Sequence, residues 1–275
     1  MKHVVTSEDV GRAFAKDKAS NAVREHAALL HPRGGWGLVT VAYIDPTEEE
    51  YENRWKQKIN SVNELHDAVG EYAGCENVWI SLNRFRGGRK VANLLQLCVV
   101  YSDCDFYKIP ELADKDPAFA TEYALQQLRL AGIPNPSLIV SSGQGLQLVW
   151  FLEPVPAQAL PRWTAIQYRI HEVLKPVGAD ANSKDASRVF RLAGTVHGKS
   201  GNVVEIIGGD RVIWTFDDLA AEVLPLSRDY VAELRDMRRI QRAKKKRSKA
   251  PINPSKGQQG NLEGTTTFAR WQSGA

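Results

Sequence analysis

Two carboxylates separated by one residue, Asp103 and Asp105, close the run LLQLCVVYSDCDF at positions 94–106. On a strand, side chains at i and i+2 share one face, so both would project together. The apolar stretch before them cannot absorb two negative charges cheaply, and a cation would lower that cost. Oxygen-rich carboxylate sites suit Mg²⁺ or Mn²⁺, and paired ions clamp the attacking and leaving oxygens of a phosphoryl transfer. Taken alone, Asp-x-Asp also describes an ordinary acidic strand end.

Two later segments carry compatible chemistry. In Ser141-Ser142-Gly143-Gln144-Gly145-Leu146-Gln147, two glycines allow close approach of the backbone to a ligand, and successive N–H groups can cradle a phosphate. A plain hairpin turn fits the same residues. The third segment runs from Gly178-Ala179-Asp180 through RVFRLAGTVHGKSG at 188–201. If 188–192 is extended, Arg188 and Phe190 face one way, Val189 and Arg191 the other. Arg191, His197 and Lys199 can then converge on an anion such as a triphosphate.

The elements that must position these residues follow from periodicity. Strands are expected at 36–43, 77–85 and 94–106, and a strand beginning at 137–140 turns through Gly143 and Gly145 into LQLVWFL. One or two helices are expected within 10–29, a capping box at Ser61–Glu64 opens a helix to about Tyr72, and amphipathic helices follow at 117–130 and 157–174. Residues 203–207 and 212–216 read as a Gly-Gly hairpin, with a short helix at 217–223. Strands and helices alternate without a β-α-β period, which predicts an α+β fold with mixed or antiparallel sheets.

The bulk properties bound the class. The chain is 43% hydrophobic and 25% charged, the balance of a globular protein. No apolar run is long enough to span a membrane and no signal peptide is evident, so a cytoplasmic location is expected. Cys75, Cys98 and Cys104 are too few and scattered for a disulfide framework or a structural zinc site. They read as reduced and mostly buried. Net charge is +4, but residues 228–249 alone hold ten Lys or Arg against three acidic residues. Such a run is either a solvated basic helix or a grip on a phosphate backbone. Domain boundaries are expected at 1–227 (an α/β part to about 90, core motifs at about 91–216), a basic helix at 228–249, and a linker or disordered tail at 250–275.

Taken in order, SDCD, SSGQGLQLVW and GAD…RVFRLAGTVHGKSG resemble the three motifs of the archaeo-eukaryotic primase (AEP) superfamily, especially its plasmid and phage replication primases and primase-polymerases. The likeness spans roughly 75–216. It implies an AEP catalytic domain with an RRM-like module flanked by helices. It also implies Asp103 and Asp105 as metal ligands, with Asp180 as the third carboxylate and Asp185 as a rival for that role. Ser142, Gly143, Gln144 and Gly145 would lie against the incoming triphosphate, with Arg191, His197 and Lys199 contacting it and Arg188 a further contact or a structural neighbour. The chain departs from the family at Gln147, where many members carry His. Glutamine can donate a hydrogen bond to phosphate but carries no charge. Arg84, Arg86, Arg89 and Lys90 form a basic turn suited to template, and Trp79, Tyr101 and Tyr107 are candidate stacking faces.

The function implied is primer synthesis on single-stranded DNA in plasmid, phage or mobile-element replication, by nucleotidyl transfer with two Mg²⁺ or Mn²⁺ ions. Its partners would be template, NTP or dNTP, and a replicative helicase or a covalently linked C-terminal module. The alternative is a catalytically weak or inactive single-stranded DNA-binding protein of the same fold. A nicking initiator needs a His-hydrophobic-His pair beside a tyrosine. His3, His26, His31, His66, His171 and His197 supply none.

Overall fold

A computed structural model describes residues 7–182, 184–225, 236–240 and 242. In chain order its helices and strands are α1 (Ser7–Leu30), β1 (Leu38–Ile44), β2 (Trp55–Ser61), α2 (Val62–Ala68), β3 (Val78–Ser81), β4 (Arg84–Phe85) and β5 (Leu94–Cys104). Then come α3 (Pro117–Leu130), β6 (Leu138–Ser141), β7 (Leu146–Pro156), α4 (Leu160–Leu174), β8 (Val189–Arg191), β9 (Glu205–Gly208), β10 (Ile213–Trp214) and α5 (Phe216–Val223). Residues 1–226 form one compact unit and 227–275 a second. In the second, residues 236–240 are helical. The rest of the expected basic helix, and the whole of the 250–275 tail, lie outside the described residues. Among the described residues no helix is long and apolar enough to cross a membrane.

The fold is α+β, as the mixed pattern predicts. Ten strands join in one sheet with the path β8-β3-β1-β4-β5-β7-β6-β9, while β2 pairs with β1 and β10 with β7. Among the described residues every pairing of these strands is antiparallel except that of β10, which runs parallel to β7. The apolar strands β5 and β7 form its centre, with Val99, Val100, Leu148, Val149 and Trp150 fully buried. Helix α4 packs on β5 through Trp163, Ile166, Ile170 and Leu174, which recur at helical spacing. Helix α1 is a single helix, anchored where buried His26 accepts a hydrogen bond from the Ala193 N–H through Nδ1 at 2.9 Å. Burial holds that imidazole down at about 3, hence neutral and able to accept. The Ser61–Glu64 capping box forms, but its helix ends at Ala68 and a 3₁₀ turn continues to Tyr72.

Two expectations are corrected and one strand was not foreseen. The strand read at 77–85 breaks into β3 and β4. Strand β2 is a seven-residue strand whose mixed, largely exposed pattern gave no clear period-two signal. The hairpin read at 203–216 does not form. The N–H groups of Asp210 and Arg211 donate to the carbonyls of Pro136 and Ser137, and Ser137 Oγ donates to the Val212 carbonyl. These bonds carry the chain across the end of β6, so β9 pairs with β6 and β10 continues along β7. The cysteines are unpaired, Cys98 and Cys104 buried and Cys75 exposed.

Strand β5 pairs with β7 along one edge, but its other edge meets β4 only at Leu94 and Gln96. Beyond that point side chains complete the ladder. Asn83 Oδ1 accepts from the Cys98 N–H (2.8 Å), Trp163 Nε1 donates to the Val99 carbonyl (2.7 Å), and Gln167 Oε1 accepts from the Tyr101 N–H (2.9 Å). Replacing Gln167 with Leu keeps the bulk but strands a buried N–H, and should cost about 1–3 kcal/mol. Urea denaturation measures this; a Gln167→Leu protein as stable as wild type would show that the edge does not depend on the glutamine.

Candidate active site

The same edge of β5 builds the acidic site. Past Tyr101 the ladder is continued by the segment after α4. Asp180 N–H donates to the Asp103 carbonyl (2.8 Å), Asp105 N–H donates to the Gly178 carbonyl (2.9 Å), and Cys104 bridges Ala179. This short antiparallel bridge sets Asp180 opposite Asp103 on one side, while Gln147 of β7 stands opposite Asp103 on the other. Arg188 Nη2 spans the first pair, 3.3 Å from Asp103 Oδ2 and 3.1 Å from Asp180 Oδ2. Asp105 binds Lys108 Nζ at 2.6 Å.

Burial pushes the Asp103 carboxyl up to about 6. Arg188 opposes the shift, and the neighbouring Asp105 and Asp180 add to it. The side chain is only 20% exposed, so its charge is poorly compensated by solvent. Asp185 stands differently. Its Oδ1 accepts from the Ser187 N–H and hydroxyl, and its carbonyl accepts from the Tyr101 hydroxyl.

A cleft of about 560 Å³ opens on these groups. Asp103, Asp105, Asp185 and Gln147 line it together with the cations Arg89, Arg188, Arg191 and Lys199, and with Ser142, Gln144, Gly145, His197, Tyr107, Trp79 and Trp55. Asp180 is not among the lining residues; Arg188, which is, holds its carboxylate. Gln147 is buried and its Oε1 has no hydrogen-bond partner. Among the described residues, no three His, Cys, Asp or Glu side chains are grouped as a metal site.

The glycine turn differs from the expected phosphate cradle. Ser142 N–H donates to the Gly145 carbonyl, and Gly145 N–H donates to Ser142 Oγ, so two of its donors are engaged inside the turn. Gly143 faces the other loop. Its φ is +95°, and a Cβ there would lie 2.5 Å from His197 Cβ. Its carbonyl accepts from Ser200 Oγ (3.1 Å) and Asn202 Nδ2 (2.8 Å). A Cβ at Gly145 would meet the Cys104 carbonyl oxygen at 2.7 Å, so this glycine lets the turn close onto β5.

His197 faces the cleft as a neutral group. Burial, then Arg191 and Lys199, lower its pKa, leaving it neutral near pH 7. Its Nδ1 accepts from the Ser200 N–H (3.2 Å), which puts the ring proton on Nε2. His197 is thus a neutral donor. Arg191 stacks over Trp79, its Cζ 4.8 Å from the ring centre, and donates to Asn77 Oδ1 at 3.2 Å. The same oxygen accepts from the Gly198 N–H at 3.1 Å, so Asn77 ties Arg191 to the loop bearing His197 and Lys199. Asn77 has φ +54°, a left-handed conformation that asparagine tolerates better than most residues.

The template residues separate. Arg84 is buried and donates to Gln96 Oε1, its guanidinium packed against Gly35, so it cannot reach a template. Arg86 and Lys90 are exposed but do not line the cleft; Arg89 does, donating to the Ser187 carbonyl. Tyr101 is buried against Trp163 and Phe190 and offers no face to a base. Sequence reasoning missed Trp55 and Asn77. For Trp55 the signal was a lone large aromatic in an otherwise polar stretch, WKQKINS.

With this geometry in hand, comparison places the chain. Its described fold is that of an archaeo-eukaryotic primase domain. It superposes on the AEP domain of the cyanophage S-2L primase-polymerase with a TM-score of 0.52, covering 74% of this chain and 97% of that one at 21% identity. A more distant likeness is to the catalytic domain of the primase RepB′ in complex with initiator DNA, with a TM-score of 0.49 and 14% identity over 81% of this chain and 98% of that chain. In sequence it is 30% identical over 203 residues to a replication protein of Clostridium perfringens. That match takes in 73% of this chain and 46% of the relative, so the chain spans about half the length of the curated relative it matches. No family model matches.

Two outcomes are expected. Asp103 binds its proton more tightly folded than unfolded, so between pH about 4 and 6 its contribution lowers stability as pH rises. In chelator at pH 7, Asp103→Asn should therefore exceed wild type by about 1–3 kcal/mol, the gap closing toward pH 4, as denaturation at each pH will measure. A pH-independent gap refutes this. Asn77→Gly keeps the left-handed backbone but deletes the shared acceptor. It should stay folded yet weaken binding of inorganic tripolyphosphate about tenfold. Unchanged affinity in Asn77→Gly would dismiss the tie.

Proposed function

We propose that this chain is a template-directed nucleotidyltransferase of the archaeo-eukaryotic primase superfamily, making primers on single-stranded DNA in the replication of a plasmid, phage or mobile element. One observation carries the reading. Asp103 and Asp105 sit at a strand end with Asp180 bridged alongside, in a cleft whose other residues include Arg191, His197 and Lys199. The likeness to a replication protein supports the same setting.

The donor set fits hard divalent cations. It consists of carboxylate oxygens, and burial raises the Asp103 carboxyl with Asp105 and Asp180 adding to the shift, so a cation beside it would lower the cost of its charge. Asp103 and Asp105, which line the cleft, would hold Mg²⁺ or Mn²⁺, with Asp180 joining them once its carboxylate leaves Arg188. Such ions would supply Lewis-acid stabilisation of the attacking and leaving oxygens. The protein's own residues do the rest. Arg191 and Lys199 neutralise the triphosphate of the incoming NTP or dNTP, and His197 donates through Nε2–H without adding charge. Gln147 carries no charge, so the grip on phosphate relies more on Arg191 and Lys199. Arg89 and Tyr107 are the template contacts that remain, and no protein nucleophile is required.

A second reading is favoured by Arg188, whose guanidinium already spans two of the three carboxylates. In that case the chain binds single-stranded DNA without catalysis. Both readings meet in one assay: primer synthesis on single-stranded DNA with Mg²⁺ or Mn²⁺, beside strand binding in chelator. The polymerase reading expects template-dependent product, reduced at least about 100-fold in Asp103→Ala, Asp105→Ala and Asp180→Ala, and largely kept in Asp185→Ala. Metal-independent strand binding with no product from wild type selects the second reading.

A further inference from the structure

The cleft wall that carries Arg191 continues into two tryptophans. Strand register puts Trp55 opposite Ile44, Ala42 opposite Trp79, and Trp79 opposite Arg191. Ile44 and Ala42 are two residues apart on β1, so Trp55, Trp79 and Arg191 all stand on one face of the sheet. Ala42 and Ile44 of β1 stand between the two strands on that face, and across them the ring centres of the indoles approach to 5.0 Å at 46°. Arg191 covers the Trp79 ring at 4.8 Å. Trp79 is therefore flanked by Trp55 and Arg191, whereas Trp55 ends the row, 39% exposed and lining the cleft.

We infer that Trp55 is the base-stacking residue of the cleft, and that its ligand is the nucleobase of the nucleoside triphosphate whose phosphates meet Arg191 and Lys199. Burying the edge of an indole in a core needs no cleft, but this indole shows its surface to a cavity already lined by cations. Steps of 4.8 and 5.0 Å lead from the Arg191 guanidinium through Trp79 to Trp55, so an anionic end and an aromatic end lie along one wall. A nucleotide has the same polarity: phosphates at one end, a flat π-surface at the other. Stacking accepts every base, so this residue contributes affinity and leaves base choice to the template. The inference rests on the nucleotide-binding reading of the site.

The test compares ligands with and without a base. Affinities of the wild-type chain, Trp55→Ala and Trp55→Phe are measured by calorimetry for each of the four deoxynucleoside triphosphates, for inorganic tripolyphosphate, and for a short single-stranded oligonucleotide. Trp55→Ala should weaken all four nucleotides by roughly 5- to 100-fold while leaving tripolyphosphate unchanged, and Trp55→Phe should recover most of the loss. Unchanged tripolyphosphate affinity also reports that the variant's site is intact. Equal losses for nucleotide and tripolyphosphate, or no loss for either, overturn the inference. A loss confined to the oligonucleotide overturns it too, assigning Trp55 to the template strand. If wild type binds neither nucleotide nor tripolyphosphate, the nucleotide reading of the cleft falls and takes the inference with it.

Discussion

A buried strand cannot leave its backbone donors and acceptors unmet, and in this protein one edge of β5 has no strand beside it past Gln96. Asn83, Trp163 and Gln167 satisfy the first part of that edge, and the 178–180 segment satisfies the last. The acidic site is a by-product of this repair. Asp180 reaches Asp103 because its own N–H completes the Asp103 carbonyl, and the bridge then fixes which side chains face one another. Helix α4 has two duties as a result. It seals the core under β5, and it delivers the chain to the bridge through the turn at Gly178.

The charges in the cleft are arranged in a graded way. Asp103 and Asp180 share Arg188, and Asp105 pairs with the exposed Lys108. Arg191 is held by Trp79 and Asn77. Arg188 thus balances two acids and also lines the cleft, which Arg89, Arg191 and Lys199 line as well. The bridge from Asp105 to the exposed Lys108 contributes little to stability, so its value lies in placing charge. His197 adds a donor where a further positive charge would repel Arg191 and Lys199.

Much of this was legible in the chain, because local chemistry wrote it. An apolar run ending in two acids had to be a buried strand with a costly tip, and β5 is that strand. The Ser61 capping box, the proline-led start of α3 and the period of α4 were likewise local signals. What failed to show depended on partners far away in sequence. Residues 203–216 looked like a hairpin because Gly208 and Gly209 suit a turn, yet backbone bonds to Pro136 and Ser137 decide otherwise. Arg84 looked like part of a basic turn, but pairing of β4 with β5 buries it. Trp55 and Asn77 belong to no motif. Their roles come from the register of β1 with β2 and β3, which spacing along the chain does not encode.

The bonds from Ser200 and Asn202 to the Gly143 carbonyl join two loops that arrive from distant parts of the sequence. Because Gly143 also sits directly against His197, the pair behaves as a single lip with no seam along which to part. Two stretches distant in sequence therefore present Ser142, Gln144, His197 and Lys199 to the cleft as one continuous edge.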